Sequence, residues 1–405
     1  MEKKTIIVLA TLDTKGKEAQ FVKEEIENRG HRVVVIDTGV VGKPYFEADI
    51  SREEVAQQGD RPLSELLKNP DRKTAAPVMA KGAKAIVTKM VREKKADGII
   101  SMGGTQGTTL ATEVMRALPV GFPKVMVSTV ASGNTVPFVD IKDIAMLFPV
   151  ADILGLNPIT KKILSNAAGA VCGMAESEVK IEITKPLVGI TTVGITTQAA
   201  IKAKSVLEGA GYETIVFHAV GTGGRAMEDL MKQGFIKAVL DIATIEVTNE
   251  MYDALLAAGP ERLTTAGRLG LPQVIAPGAI AILVYGTPDT IPAKYKDRKI
   301  IAHSPKITDV RINKDEQVAV AHEIVRRLKG SKGSTVFMVP RKGYDSYSVE
   351  GMDFWELESD QAFVEVLKKE LPPKIPVIER DRDINDPEFA EEMANTLIEL
   401  MRKMY

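Results

Sequence analysis

Apolar and polar positions alternate between two rhythms along this chain. Short β-branched runs, Thr5–Ala10, Arg32–Ile36, Gly98–Met102 and Lys124–Ser128, are apolar on consecutive residues and predict strands buried on both faces. Between them, Lys17–Asn28, Lys73–Lys95 and the stretch from Leu110 to before Pro119 repeat their apolar residues at helical spacing. Ser51 and Glu54 form a capping-box signal, Ile144–Pro149 predicts one more short strand, and Asn157–Met174 reads as a helix with Pro158 in its first turn. Glu176–Lys185 is more polar and ends at Pro186, after which the rhythm restarts. Strands are predicted at Leu187–Thr191, Thr214–Phe217, Ala238–Ile242, Gln273–Ile275, Ile280–Val284, Lys299–Ala302, Thr335–Val339 and Pro376–Ile378, with helices over Thr197–Glu208 and Pro387–Lys403.

This alternation predicts an α/β protein with two Rossmann-like domains, residues 1–183 and 184–405, each a mostly parallel sheet with helices on both faces. The openings of the two halves have similar spacing, Thr11 to Asp37 and Thr191 to His218. Two related units, or two unrelated units of one architecture, both account for that. Right-handed crossovers gather the loops after Ala10, Ile36, Met102 and Ser128 at one sheet edge, where such folds bind ligands.

The richest of these loops is Gly103-Gly104-Thr105-Gln106-Gly107-Thr108-Thr109, between a strand and a helix. Glycines admit close backbone approach, and the helix amino terminus favours an anion, so phosphate or carboxylate is the expected ligand; a purely structural turn would use glycine too. The loop Thr11-Leu12-Asp13-Thr14-Lys15 joins hydroxyls, a carboxylate and an amine. That mixture suits a polyphosphate with Mg²⁺ on Asp13, although Asp13 also fits an ordinary helix cap. Asp37, with Gly39 beyond it, ends a strand where an acidic residue often accepts ribose hydroxyls, and Ser128–Asn134, with Ser132 and Gly133, adds another small polar elbow. Neither the Walker A spacing nor the dinucleotide glycine fingerprint is present, which weakens a nicotinamide oxidoreductase reading.

In the second half, Gly221-Thr222-Gly223-Gly224-Arg225 is an anion-cradle candidate for a second anionic ligand, expected in the cleft between domains. His218, Asp241, Thr244, Glu246, His303 and Arg341 fall at strand ends. His218, Asp241, Glu246 and His303 are candidates for acid–base chemistry, or for loop-anchoring hydrogen bonds. His31 and His322 read as surface residues, and no zinc spacing or Gly-x-Ser-x-Gly elbow occurs.

A formal net charge of −1, with basic residues dispersed over 405 positions, gives no support to nucleic-acid binding. Cys172 is the one cysteine, so no intrachain disulfide is possible and a cytoplasmic location is expected. No apolar run is long enough to span a membrane, and the apolar stretch after Lys3-Lys4 is too short for a signal peptide.

Taken together, Thr11–Lys15, Gly103–Thr108, Val125–Gly133, Gly155–Asn157 with Asn166–Ala168, Gly221–Glu228 and Asn385–Pro387 resemble the ATP-binding domain family of the tomato mosaic virus resistance protein and its uncharacterised bacterial relatives. The resemblance covers nearly the whole chain. It implies two Rossmann-like domains, ATP with Mg²⁺ on the first, and a homodimer or higher homo-oligomer. It departs from the family pattern at Thr105 and Gln106 in the glycine loop, at Asn134, and at Ala281 and Val284 in the second domain, where the family favours an acidic residue and an asparagine. The resulting expectation is an ATP·Mg-binding protein. It is either an enzyme acting on a small anionic metabolite, with ATP-dependent activation of a carboxylate as one class, or a nucleotide-sensing module without turnover that regulates a protein partner.

Overall fold

The computed structural model describes residues 2–68, 72–179 and 181–403. Lys180, within the polar stretch before Pro186, lies outside the described residues, as does the side chain of Lys73. The chain divides into two compact units, Met1–Ile181 and Glu182–Tyr405.

In the amino-terminal unit, β1 (Thr5–Ala10), β2 (Arg32–Asp37), β3 (Gly98–Gly103), β4 (Lys124–Ser128) and β5 (Ala145–Leu147) form a parallel sheet of order β2-β1-β3-β4-β5. Its helices are α1 (Leu12–Asn28), α2 (Arg52–Gln58), α3 (Leu63–Lys68), α4 (Arg72–Arg92), α5 (Thr105–Arg116), the short α6 (Val136–Val139) and α7 (Pro158–Glu176). Successive strand residues point to opposite faces. Ile7, Leu9, Ile99 and Met126 therefore pack beneath α2, α4 and α5, while Ile6, Val8, Ile100 and Val127 pack against α1 and α7. The Ser51–Glu54 capping box forms at α2, and Asn157 caps α7 with Pro158 following it.

Two local features differ from expectation. The residues Thr105–Thr109 are the first turn of α5, so the glycine elbow proper is only Gly103-Gly104. His31 is buried, not on the surface; its Nδ1 accepts the Lys4 N–H at 3.3 Å and its Nε2 lies 2.7 Å from Glu176 at the end of α7. An aromatic ring satisfied at both nitrogens is stable inside, and one-dimensional polarity does not reveal those partners.

In the carboxy-terminal unit, β6 (Leu187–Thr192), β7 (Glu213–His218), β8 (Ile236–Ala243) and β9 (Gln273–Gly278) begin a parallel sheet. It is completed by β13 (Thr335–Pro340) and β14 (Val377–Arg380), in the order β14-β13-β9-β8-β6-β7. Between β9 and β13 the chain inserts an antiparallel sheet of β10 (Ile282–Tyr285), β11 (Ile300–Ser304) and β12 (Ile307–Arg311), ordered β10-β12-β11. Ile280–Val284 and Lys299–Ala302 thus do not extend the parallel sheet: the short hairpin through Pro305-Lys306 pairs β11 antiparallel with β12, and β10 pairs antiparallel with the other edge of β12. The helices are α8 (Thr197–Gly209), α9 (Thr222–Lys232), α10 (Ile245–Met251), α11 (Thr265–Leu269), α12 (Lys314–Leu328), α13 (Leu357–Glu370) and α14 (Pro387–Arg402). Val188, Leu240 and Met338 face α8 and α14, and Ile275, Phe337 and Val339 face α12 and α13.

Candidate functional site

The strand order of the amino-terminal unit creates a crevice. β1 and β3 stay paired only to Leu9 and Ser101, where Ser101 Oγ donates to the Leu9 carbonyl at 2.7 Å. Beyond that point β1 continues beside β2, with Ala10 opposite Asp37, and β3 continues beside β4, with Gly103 opposite Ser128. The strands part there, and the helices that follow leave to opposite faces, which is the switch point at which open parallel sheets bind ligands. A pocket of about 360 Å³ occupies this place. Thr11, Asp13, Thr14, Lys15, Gly103, Gly104, Thr105 and Gly107 line its polar side, while Val40, Val41, Ala76, Met79 and Leu110 make an apolar wall.

Two helices begin at this pocket, α1 after Thr11 and α5 after Gly104; neither N-cap residue caps its helix with its own side chain, and the Leu12 N–H that opens α1 is taken by Asp37 Oδ1 at 3.0 Å. The first N–H groups of a helix have no intrahelical acceptor and carry partial positive charge. Ser51, Asn157, Asn313 and Asp386 cap α2, α7, α12 and α14 with a side-chain oxygen, while α6, α8, α9, α10, α11 and α13 have no side-chain cap either. Gly104 also has no steric duty. Its backbone, φ −78° and ψ −165°, suits any residue, and a Cβ there would come no nearer than 3.8 Å to Thr129 Oγ1. A glycine that the turn does not require leaves room for something else at the amino terminus of α5.

Asp13 bridges two loops. Its Oδ2 accepts the N–H groups of Val41 at 2.6 Å and Gly42 at 3.0 Å, while its Oδ1 is buried without a hydrogen-bond partner. Gly39 is needed beside it, since a Cβ would fall 2.7 Å from the carboxylate. Thr11 and Thr14 share a hydrogen bond between hydroxyls of 2.7 Å, and Lys15 Nζ donates to the Ile153 carbonyl at a kink where Lys15 leaves helical geometry.

Several expected ligand groups are turned inward. Asp37 is buried, and its Oδ1 accepts the N–H of Leu12 at 3.0 Å and of Gly39 at 2.8 Å; burial raises its pKa, and those two donors oppose the rise. It ties the loops after β1 and β2 together and does not line the pocket. Thr108 is fully buried, with Oγ1 2.8 Å from the Gly104 carbonyl and 2.6 Å from Ser128 Oγ. Ser132 and Gly133 are exposed outside the pocket lining. Sequence reading missed Ala76, Met79 and Leu110, because their helical periodicity marks them only as core, and Thr38, which no motif flags.

The carboxy-terminal cradle is filled from within. Glu246, fully buried in the first turn of α10, places Oε1 2.6 Å from the Gly221 N–H and 3.0 Å from the Gly224 N–H. Its Oε2 receives Arg262 Nε at 2.7 Å. Arg262 continues to Asp241 through both terminal nitrogens, Asp241 accepts the Thr191 hydroxyl at 2.6 Å, and these carboxylates hold the guanidinium firmly protonated. Glu228 joins by accepting the Leu263 N–H at 2.8 Å, and burial raises its pKa. The anion cradled by Gly221–Gly224 is therefore the protein's own Glu246, and Asp241 and Glu246 are members of a closed ion network. Gly223 packs against the carbonyl of His218, whose residue is exposed, and Arg225 is half-buried. His303 lies instead on the antiparallel sheet, beside Asp309 and Tyr347. Arg341 is exposed near Asp381, and Thr244 Oγ1 donates to the Ala276 carbonyl. Among the described residues, no cluster of three or more His, Cys, Asp or Glu is placed to hold a metal ion, and no helix is long and apolar enough to cross a membrane.

Comparison with known proteins places the chain in a family. Residues 4–180 match the N-terminal domain, and residues 185–401 the C-terminal domain, of the uncharacterised protein family UPF0261. A UPF0261 protein of Clostridium tetani is 44% identical over 402 residues, covering 99% of this chain and all of that protein. One of Rhizobium meliloti is 36% identical, covering 96% and 97%. The ToMV susceptible protein tm-1(GCR26) of Solanum lycopersicum is 32% identical over 98% of this chain, which matches 56% of that longer protein. Among solved structures, a UDP-N-acetylglucosamine 2-epimerase from Rickettsia bellii aligns with a TM-score of 0.24 at 11% identity, covering 67% of this chain and 79% of that one, too low to carry an argument. The chain belongs to UPF0261.

Proposed function

We propose that this member of UPF0261 binds ATP with Mg²⁺ in the crevice of its amino-terminal unit. The observation that carries the reading is the meeting of the uncapped amino terminus of α5 with the Thr11–Lys15 turn, and a glycine at position 104 that the backbone does not require, at a pocket of about 360 Å³ on the switch point of a parallel sheet. In this reading the phosphates lie over Gly104–Gly107 and the Thr11–Lys15 turn, and the base rests on the wall of Val40, Ala76, Met79 and Leu110. The residues present suit the metal: Mg²⁺ on a nucleotide needs only one or two protein carboxylates, and Asp13 Oδ1 is an unpartnered carboxylate oxygen at the pocket. Bound there, the ion would neutralise phosphate charge. A cytoplasmic location and a homodimer complete the proposal, with Phe148, Val150, Leu154 and Ile159 as exposed apolar side chains suited to a self-contact, testable by sedimentation.

The test is a thermal-shift titration with ATP·Mg, ADP, NAD and no ligand on the wild type and Gly104→Val. Binding only to the folded state stabilises it by about 2.7 kcal/mol at a hundredfold excess over Kd. ATP·Mg is expected to raise the wild-type midpoint and leave that of Gly104→Val unmoved; no shift in either protein sinks the reading. One feature favours a sensor over an enzyme that activates a small carboxylate. Among the described residues, the pocket lining holds no histidine or cysteine, and Asp13, its one carboxylate, already receives two N–H groups. ATP turnover that appears only with one member of a metabolite panel would decide for the enzyme.

A further inference from the structure

The carboxy-terminal unit holds a group of titratable side chains apart from the ion network of Arg262. β11 and β12 pair from Ile300 opposite Val310 to Ala302 opposite Thr308, then resume at Ser304 opposite Ile307, so His303 is the extra residue of a β-bulge. Bulges re-aim one side chain out of the strand's alternation. The His303 ring is turned so that Nδ1 lies 3.0 Å from Tyr347 Oη and 3.4 Å from Asp309 Oδ2. The Asp309 side chain is 7% exposed and the His303 side chain 45% exposed. Tyr347 is itself fixed: its N–H donates to Asp345 Oδ1 at 2.8 Å, and its ring meets Phe354 edge-on at 6.0 Å.

We propose that His303 is a proton acceptor for a hydroxyl or water bound against the antiparallel sheet, with Asp309 and Tyr347 as positioning residues. A buried carboxylate facing Nδ1 favours the tautomer that carries its proton there. The lone pair is then on Nε2, the nitrogen remote from Asp309, and the imidazolium formed on accepting a proton is stabilised by the same carboxylate. Burial raises the Asp309 pKa to about 6, and the facing His303 opposes that rise. In a hydrolytic step, the water oxygen bonds to the acyl carbon, the bond to the leaving group breaks, and the water proton passes to Nε2.

His322 supplies an internal control. Its Nδ1 is 2.9 Å from Glu370, but both side chains are well exposed, at 50% and 37%. Long-range ¹H–¹⁵N spectra resolve histidine tautomers, and the chain has four histidines. Neutral His303 is expected as the Nδ1–H form, with Asp309→Asn moving the tautomer ratio at least tenfold toward Nε2–H and Tyr347→Phe moving it less. With p-nitrophenyl acetate as the probe, His303→Gln is expected to lower the hydrolysis rate more than tenfold and His322→Gln less than twofold. A wild-type His303 already in the Nε2–H form overturns the proposal, whatever the variants do. So do equal losses from the two glutamine variants, which would mean the probe reads any surface imidazole.

Discussion

The two sheets open on the same strand order and finish their switch points differently. In each, the first strand runs between the second and the third, and the strands part at the carboxyl edge. In the amino-terminal unit the helix after the third strand starts Gly104-Thr105-Gln106-Gly107, and the crevice beside it is an open pocket. In the carboxy-terminal unit the corresponding helix starts Thr244-Ile245-Glu246, and Glu246, Arg262 and Asp241 fill the space. Both units use a carboxylate to hold the loop after the second strand: Asp13 takes the N–H groups of Val41 and Gly42, and Glu246 those of Gly221 and Gly224. The carboxy-terminal elbow thus holds an anion that is the protein's own side chain, whereas at Gly103-Gly104 no side chain takes that place and an anionic ligand is the proposal.

The largest expected effect comes from emptying the filled switch point. Arg262→Met leaves Asp241, Glu246 and Glu228 buried without their cation, which costs about 3–5 kcal/mol of stability in urea unfolding. Wild-type stability in that variant would show the network to be incidental. Next comes one substitution made in both elbows. At Gly224 a Cβ would sit 2.0 Å from Glu246 Oε2 and 2.5 Å from Arg262 Nε, so Gly224→Ala should cost at least about 3 kcal/mol, or prevent folding of that unit. At Gly104 the nearest atom is 3.8 Å away, and Gly104→Ala should stay within about 0.5 kcal/mol of wild type. Equal costs would erase the contrast between the two sites.

Glu246→Ala should lose about 2 kcal/mol, because it strands two buried N–H groups and the Arg262 Nε. Added acetate should then raise the midpoint of the variant and leave wild type unmoved. A pH dependence away from both switch points is comparable in size. Asp345 is fully buried, and desolvation raises its pKa to about 6. The folded state therefore binds this proton more tightly than the unfolded state. Its contribution is complete below about pH 4 and is lost as pH rises through 6, by up to about 3 kcal/mol for a shift of roughly two units. Asp345→Asn should flatten that part of the stability–pH curve, and an unchanged slope would assign it to another group.

Much of this architecture is legible along the chain. The consecutive apolar residues of Thr5–Ala10 and Gly98–Met102, set between helical repeats, dictate strands covered on both faces, and the polar stretch at Glu176–Lys185 marks the division into two units. That Thr11–Lys15 and Gly103–Gly107 come together at one pocket is equally readable, since crossover handedness brings the loops after β1 and β3 to one edge. The antiparallel insertion was less readable: its strands look like any other apolar run, and a strand's direction depends on its connections. Partnership over long separations was not readable at all. Nothing near Glu246 announces that it will occupy the glycine elbow 22 residues before it, or that Arg262 will arrive to neutralise it. Local periodicity and turn chemistry are written residue by residue, so the sequence by itself determined the elements and the edge at which they converge. Which polar group meets which is set by the close approach of distant segments, so only the tertiary structure decided that one crevice stays open and the other is closed by a buried ion pair.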